Sequence, residues 1–386
     1  MNKMPLIENA CKELMEYGVR GWQEKGKDLA KRLLLKRRTA GDDPIFWTTG
    51  ILAAGLWACR EESAAVYVPA ESAGASDVAV RVERIDRALA AYYERWLKKG
   101  MPLMYLDDLL AGETLLNMYR SVREKGTDFG VNLSGDRLKR AADRLASYAA
   151  DHAVDGVGSF LYRPTSGENT VFVDGIGLAC PFLYQYGELF DMPEYRELAV
   201  LQIVNFLSYG MDSKTGLPYH GYDMTDGCKY GIIGWGRAVG WLLRGMMGCM
   251  ASAYGRERLA APCTALADAV AARQREDGYF SWQLDAAEGP ADTSATGMIC
   301  AAFKRGMSIG VLAGETYENA LTAGRCALER SVRDGRVYRC SGECEGFSQY
   351  PQRYGAYPWS LGPALEALQA DGAANAGAHG QCPGII

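Results

Sequence analysis

Histidine is scarce in this chain, and the scarcity excludes a good deal. Three histidines stand among 386 residues, at 152, 220 and 379, too few and too scattered for a histidine-built metal centre. Cysteine is commoner but unordered. The eleven cysteines are odd in number, Cys340 and Cys344 are their one close pair, and no second pair or nearby histidine completes a metal set. No metal and no cofactor is expected, and most thiols read as reduced core residues of a cytoplasmic protein. The chain also lacks a basic block, and its net charge is −5, so a nucleic-acid partner is not expected. No run is long and apolar enough to span a membrane, so no membrane role is expected. The first residues, MNKMPLIENACKELMEYGV, read as an amphipathic helix with no apolar signal region.

What the chain does have is apolar mass, 48% of its residues, and a hidden period. Six segments rich in small and aromatic residues recur: FWTTGILAAGLW (46–57), LDDLLAGETLL (106–116), VDGIGLACPF (173–182), WGRAVGWLL (235–243), TSATGMIC (293–300) and WSLGPAL (359–365). Anchored on Trp47, Asp107, Asp174, Arg237, Ser294 and Ser360, they repeat at steps of about 60, 67, 63, 57 and 66 residues. Between them lie turns followed by short aromatic strands, at Asp155-Gly, Asp212 to Gly216, Asp277-Gly and Asp334-Gly. Helices of apolar 3.6 period fill the remainder, such as 194–207, where Asp191, Pro193 and Glu194 give start signals and Asp191 and Glu194 stand at capping-box spacing.

Each unit is thus helix, loop with a short hairpin, helix. Six such units closing on themselves make an all-α (α/α)6 barrel, a six-hairpin toroid over residues 1–370 with short β-hairpins in its loops. The small-residue segments suit the crowded inner ring. An open solenoid has the same local pattern but needs polar end caps, and none is seen. The final stretch, 371–386, reads as a flexible tail.

In a toroid the starts of the inner helices converge on one mouth. Trp47, Asp107, Asp174, Trp235, Arg237, Trp241, Ser294 and Trp359 would then share a cleft, joined by Tyr219, His220 and Tyr222 from the loop GLPYHGYD (216–223), with Cys340 and Cys344 flanking another loop at the same mouth. Aromatic faces beside carboxylates and an arginine suit a sugar that carries a carboxylate. Asp174 is the one carboxylate in the apolar stretch VFVDGIGLACPFL (171–183), and an unpaired carboxylate is costly to bury there. Asp107 occupies the matching point of the preceding unit. Paired carboxylates can divide acid and base work, whereas the plainer reading makes each a helix cap.

Together these motifs resemble the unsaturated uronyl hydrolases of glycoside hydrolase families 88 and 105. The resemblance rests on VFVD174 with Pro181-Phe182, YHGYD around His220, WGRxxGW from Trp235 to Trp241, and TSAT from Thr293. Leu106-Asp107 with Gly112 adds to it, and the order and spacing hold over about 40–368. Family 105, the unsaturated rhamnogalacturonyl hydrolases, is the closer fit. The resemblance implies an (α/α)6 barrel that hydrates the C4–C5 double bond of a 4,5-unsaturated uronyl disaccharide left by a polysaccharide lyase. It makes Asp174 the proton donor and water activator, with Asp107 in support. His220, Arg237 and Trp241 become substrate contacts. One departure stands out: Ala238-Val239 replace the Gly-Asn pair that the family often carries, and this is expected to bear on the pocket and on the preferred disaccharide. Three other readings stay open at this point. The first is an unsaturated glucuronyl hydrolase acting on glycosaminoglycan- or ulvan-type disaccharides. The second is an inverting glycosidase on saturated oligosaccharides, with Asp107 and Asp174 as acid and base. The third is a sugar-binding toroid with no catalysis.

Overall fold

Helices that must pack around a common axis need small residues where their backbones meet, and the six recurrent segments supply them. The computed structural model describes residues 1–17, 45–65, 73–164, 169–344, 346–347 and 349–370. The expected tail at 371–386 lies outside them. Among the described residues there are twelve α-helices. They are α1 (Met4–Glu16), α2 (Trp47–Ala65), α3 (Ala73–Lys98), α4 (Leu110–Lys125), α5 (Gly135–Ala150), α6 (Asp174–Leu189), α7 (Pro193–Tyr209), α8 (Gly236–Gly248), α9 (Ala253–Ala271), α10 (Thr293–Ser308), α11 (Glu315–Arg330) and α12 (Pro358–Ala367). The even-numbered helices pack side by side around the axis, and α12 packs against α2 to close the ring. The odd-numbered helices lie outside them.

The fold is therefore the six-hairpin toroid, and its closure is written into two glycines. A Cβ on Gly55 of α2 would lie 2.3 Å from the carbonyl oxygen of Gly362 on α12, and one on Gly362 would lie 2.3 Å from that of Ile51. Nothing larger than glycine fits this seam without moving a backbone.

The sixth hairpin has an origin that the repeat does not reveal. Its inner helix is α12, and its outer helix is α1, from the other end of the chain. α1 packs on α2, α3 and α12. It buries Leu6, Ile7, Ala10, Cys11 and Leu14, spaced for a single face. Burying Leu6, Ile7 and Leu14 stabilises the closure by about 2 kcal/mol each. Lys3 ties the start of α1 to Glu62 at 2.6 Å.

The start of α7 differs from the expected capping box. Its N-cap is Met192, no side chain caps it, and Pro193 opens the helix. Asp191 instead takes a left-handed φ of 54° in the turn before it. The Asp334-Gly turn forms as expected. Asp334 (φ 48°) and Gly335 (φ 69°) join β4 (Val332–Arg333) to β5 (Arg336–Val337), a pair of positive φ values that matches the twist of a tight hairpin.

Two apolar clusters result. The larger fills the space between the rings. The smaller sits near the axis and contains Trp47, Ile51, Leu110, Leu178, Trp241, Met298, Cys340 and Trp359. Trp47, Leu178 and Trp241 of this plug border a cavity of about 630 Å³ at the mouth formed by the inner-helix starts. Met298 borders a second cavity of about 820 Å³ at the opposite end. There Arg244 bridges Glu113 (2.7 Å) and Glu366 (2.9 Å), joining three inner helices. Among the described residues no helix is long and apolar enough to cross a membrane.

Candidate active site

The mouth cavity is assembled by a small sheet as much as by the ring. β1 (Thr170–Phe172) pairs antiparallel with β2 (Gly221–Asp223), which pairs with β3 (Cys228–Tyr230). Just beyond the β1–β2 ladder, Val173 N–H donates to the carbonyl of His220 at 2.9 Å. This register sets His220 beside Asp174, the first residue of α6. Val173 stands at the N-cap and gives the helix no side-chain cap. Oδ2 of Asp174 lies 3.0 Å from His220 Nε2, and its side chain is 13% exposed to the cavity.

Asp107 borders the same cavity but is closed off. It lies in a short 3-10 turn, Leu106–Leu109, just before α4. The capping work there falls to Asp108, whose Oδ2 accepts from Met104 N–H (2.7 Å) and Tyr105 N–H (3.2 Å). That leaves Asp107 free for another role. Its side chain is fully buried, Oδ1 accepts from the Tyr162 hydroxyl at 2.7 Å, and Oδ2 lies 3.6 Å from Arg163 Nη2. Burial raises its carboxyl above the ordinary 3.8, and the Arg163 charge and the Tyr162 bond only partly offset that. Burial, helped by the Asp107 charge, also holds the Tyr162 phenol well above its usual 10, so it stays a donor.

Arg237 is buried in the first turn of α8. Its Nη1 donates to Ser341 Oγ (2.9 Å), Ser294 Oγ (3.2 Å) and the Ser341 carbonyl (3.3 Å), and Nη2 donates to the Gly342 carbonyl (2.9 Å). These are neutral oxygens. The nearby Asp292 is used up in capping α10 and in accepting from Ser294 Oγ and Ser341 Oγ, each at 2.7 Å. A buried guanidinium at a cavity wall, hydrogen-bonded to neutral oxygens, can take an anionic group from a ligand; the Glu343 carboxyl at the same cavity also feels its charge.

Of the residues expected at the mouth, Trp47, Asp107, Asp174, His220, Trp235, Arg237 and Trp241 border the cavity. Others do not. Ser294 is fully buried behind Arg237. Trp359 stands behind Trp47, their ring centres 5.1 Å apart, and donates from its indole nitrogen to the Ser341 carbonyl at 3.0 Å. Tyr219 faces the other way, because consecutive residues of an extended segment alternate sides. Its ring lies 5.7 Å from Lys229 Nζ. Tyr222 is buried and bonds Ser159 at 2.8 Å, away from the cavity. The Ala238-Val239 pair is also displaced from its expected role. Both residues are fully buried in the packing between the rings and do not border the cavity.

Several residues at the site carried no sequence signal as site residues. Tyr162 was visible as a hairpin marker, but nothing tied it to Asp107, 55 positions away. Arg163, Glu343 and Phe347 also border the cavity, and Tyr350 bonds His220 from behind. Of the two cysteines expected to flank a loop at this mouth, Cys344 borders the cavity and Cys340 is buried in the axial cluster. Tyr162, Phe172, Phe347 and Tyr230 stack in succession, with ring centres 4.5, 4.2 and 5.5 Å apart, to make an aromatic wall. No group of three or more His, Cys, Asp or Glu side chains able to hold a metal occurs among the described residues.

Comparison with known proteins bears on the fold and the family. A curated protein of Agrobacterium fabrum, Protein Atu3128, is 33% identical over 168 residues, covering 39% of this chain and 70% of that protein. A solved structure of a possible member of the GH105 family from Klebsiella pneumoniae subsp. pneumoniae superposes with a TM-score of 0.73 at 17% identity, covering 95% of this chain and 92% of that one. The crystal structure of unsaturated glucuronyl hydrolase from Bacillus sp. GL1, responsible for the degradation of glycosaminoglycan, superposes with a TM-score of 0.57 at 18% identity, covering 90% and 96%. The family model of Glycosyl Hydrolase Family 88 matches residues 78–368, and the chain belongs to that family of glycoside hydrolases.

Proposed function

We propose that the mouth cavity releases a 4,5-unsaturated uronic acid from the non-reducing end of a lyase-generated oligosaccharide by hydrating its C4–C5 double bond. The observation that carries this reading is the unequal pair of carboxylates. Asp174 opens on the cavity beside His220, whereas Asp107 is closed off by Tyr162 and Arg163. Direct inversion at the anomeric carbon needs two carboxylates that both reach the substrate or its water. Hydration of a vinyl ether needs one carboxyl group used twice. Asp174 gives its proton to C4. Water then bonds to C5 and returns a proton to the Asp174 carboxylate. The hemiketal at C5 opens, the glycosidic C–O bond breaks, and the next sugar leaves. Arg237 offers its charge to the uronate carboxylate, and Trp235, Trp241 and the aromatic wall offer ring faces. Asp107, held by Tyr162 and Arg163, supports Asp174 from the neighbouring inner helix start. Within this proposal the substrate is an unsaturated rhamnogalacturonyl disaccharide, the reading to which the motifs around Asp174, His220 and Arg237 come closer.

The test follows the ultraviolet absorbance of the conjugated double bond. Absorbance should fall with lyase-generated rhamnogalacturonan disaccharides. Asp174→Asn should keep its fold and lose at least about a thousandfold in turnover, as expected for a lost acid–base group. No absorbance loss with rhamnogalacturonan, glycosaminoglycan or ulvan-type disaccharides would end this proposal. So would an active Asp174→Asn.

A further inference from the structure

We infer that Tyr350 is a positioning residue: it fixes which ring nitrogen of His220 holds the proton, and so which oxygen of Asp174 delivers one. The inference rests on the reading of Asp174 as the acid. No motif marked Tyr350, which lies 130 positions from His220 in sequence.

The argument is a count of hydrogens. The Tyr350 oxygen lies 3.3 Å from the backbone nitrogen of Ile232 and 2.7 Å from His220 Nδ1. A backbone N–H can only donate, so Ile232 uses a lone pair of the phenol oxygen. The phenol hydrogen then needs an acceptor, and Nδ1 is placed to be it. His220 therefore holds its ring proton on Nε2 and donates it to Asp174 Oδ2 at 3.0 Å. The reverse order leaves the Tyr350 hydrogen without that acceptor and takes the acid proton of Asp174 onto Oδ2, facing the imidazole. With Nε2–H directed at Oδ2, the acid proton stays on Oδ1, free for C4.

The surroundings hold this chain of bonds in place. His220 is fully buried, with ring centres of Trp235 at 4.7 Å, Phe172 at 4.9 Å and Phe347 at 5.2 Å from its own. Bulk water does not reach the ring to substitute for Tyr350. Gly231 (φ 82°) leaves the space: a Cβ there would come within 2.5 Å of His220 Cβ and 2.6 Å of the Tyr350 hydroxyl. Tyr350 itself is steadied against Trp235 and Trp282, at 5.6 and 6.2 Å.

Three histidines make the test readable. Protein labelled with nitrogen-15 histidine gives ring-nitrogen signals, and those of His220 are identified by their absence from His220→Gln. Wild type should show His220 protonated on Nε2. Tyr350→Phe keeps the ring and removes the hydroxyl. It should shift His220 toward the other tautomer and lower kcat by roughly ten- to a hundredfold, with KM changed by less than about twofold. Tyr222→Phe is the control. It removes a buried hydroxyl, bonded to Ser159 at 2.8 Å away from the cavity, and should change neither the His220 signals nor kcat. Wild-type His220 protonated on Nδ1 would overturn the inference, as would Tyr350→Phe with unchanged His220 signals. The spectrum is recorded without substrate. If no unsaturated sugar is turned over, the fault lies with the reaction assigned to Asp174 and the tautomer is still decided.

Discussion

Replacing Asp107 separates a carboxylate held at a stability cost to support Asp174 from one that caps a helix, because the two roles predict opposite signs. A helix cap lost to substitution costs about 1 kcal/mol. Asp107 does no capping, and its burial raises its carboxyl above 3.8. The sign follows from proton counts. Between the unfolded value and the raised folded value, the native state holds a proton that the unfolded state has lost. Stability therefore falls as pH rises through that window and levels off above it. Each unit of upward shift costs about 1.4 kcal/mol at neutral pH. Asp107→Asn mimics the protonated form, keeps an oxygen for Tyr162, and removes that cost. A chain of 386 residues has an unfolding entropy near 0.8 kcal/mol/K, so each 1.4 kcal/mol raises Tm by roughly 1.7 °C. The assay is tryptophan-fluorescence melting of wild type and Asp107→Asn in steps from pH 4 to pH 8, with turnover measured alongside. The variant should gain in Tm relative to wild type as pH rises, and lose activity. A variant less stable at pH 7, or a Tm difference that does not grow with pH, would refute the reasoning.

The fold makes its own predictions. Gly55→Ala puts a methyl group against the Gly362 carbonyl at the ring seam, and should cost about 2–3 kcal/mol, read as a lower Tm. An unchanged Tm would mean that the seam can open freely. Arg244→Met leaves Glu113 and Glu366 in the far cavity without their shared cation, and should cost about 3–5 kcal/mol. The Glu366 carboxyl is raised by burial, so much of that loss should be recovered when melting is repeated at lower pH. Because the axial plug separates the two cavities, the KM of Arg244→Met at a temperature well below its melting point should match that of wild type.

The sequence makes the ring legible and leaves the loops dark, for a physical reason. Each inner helix has to bring its start to one mouth and its middle against two neighbours, so Trp47, Asp107, Asp174 and Arg237 recur at a period that can be counted. The closing helix α1 has no such mark, since any amphipathic helix would cover α12. Residues that face inward from the ring were found because packing fixes their spacing. Ser294 and Trp359 share that spacing yet stand behind Arg237 and Trp47. A repeat position therefore shows that a side chain is near the mouth, and leaves open whether it reaches the cavity. Glu343, Phe347 and Tyr350 come from a segment with no period, and they reach the site through β6 (Cys340–Ser341) and its pairing with β7 (Tyr354–Gly355). Nothing local in their sequence records that.

The choice of His220 over Tyr219 shows how finely the site depends on strand register. Both residues stand in the same loop motif, and a slip of one residue between β1 and β2 would exchange them. Three contacts fix the register. Val171 stands opposite Tyr222 in the ladder, and Val173 N–H reaches the His220 carbonyl. Gly221 lets the strands close, since a Cβ there would meet the Val171 carbonyl at 2.4 Å. With that register the imidazole turns inward to Asp174 and the Tyr219 phenol turns outward to Lys229. Shifted by one, Asp174 would face a phenol, and the relay from Tyr350 through His220 would have no middle member. The chemistry proposed for Asp174 thus depends on a three-residue strand pairing with the next unit of the toroid, which turns this helix-start carboxylate toward His220 and the cavity.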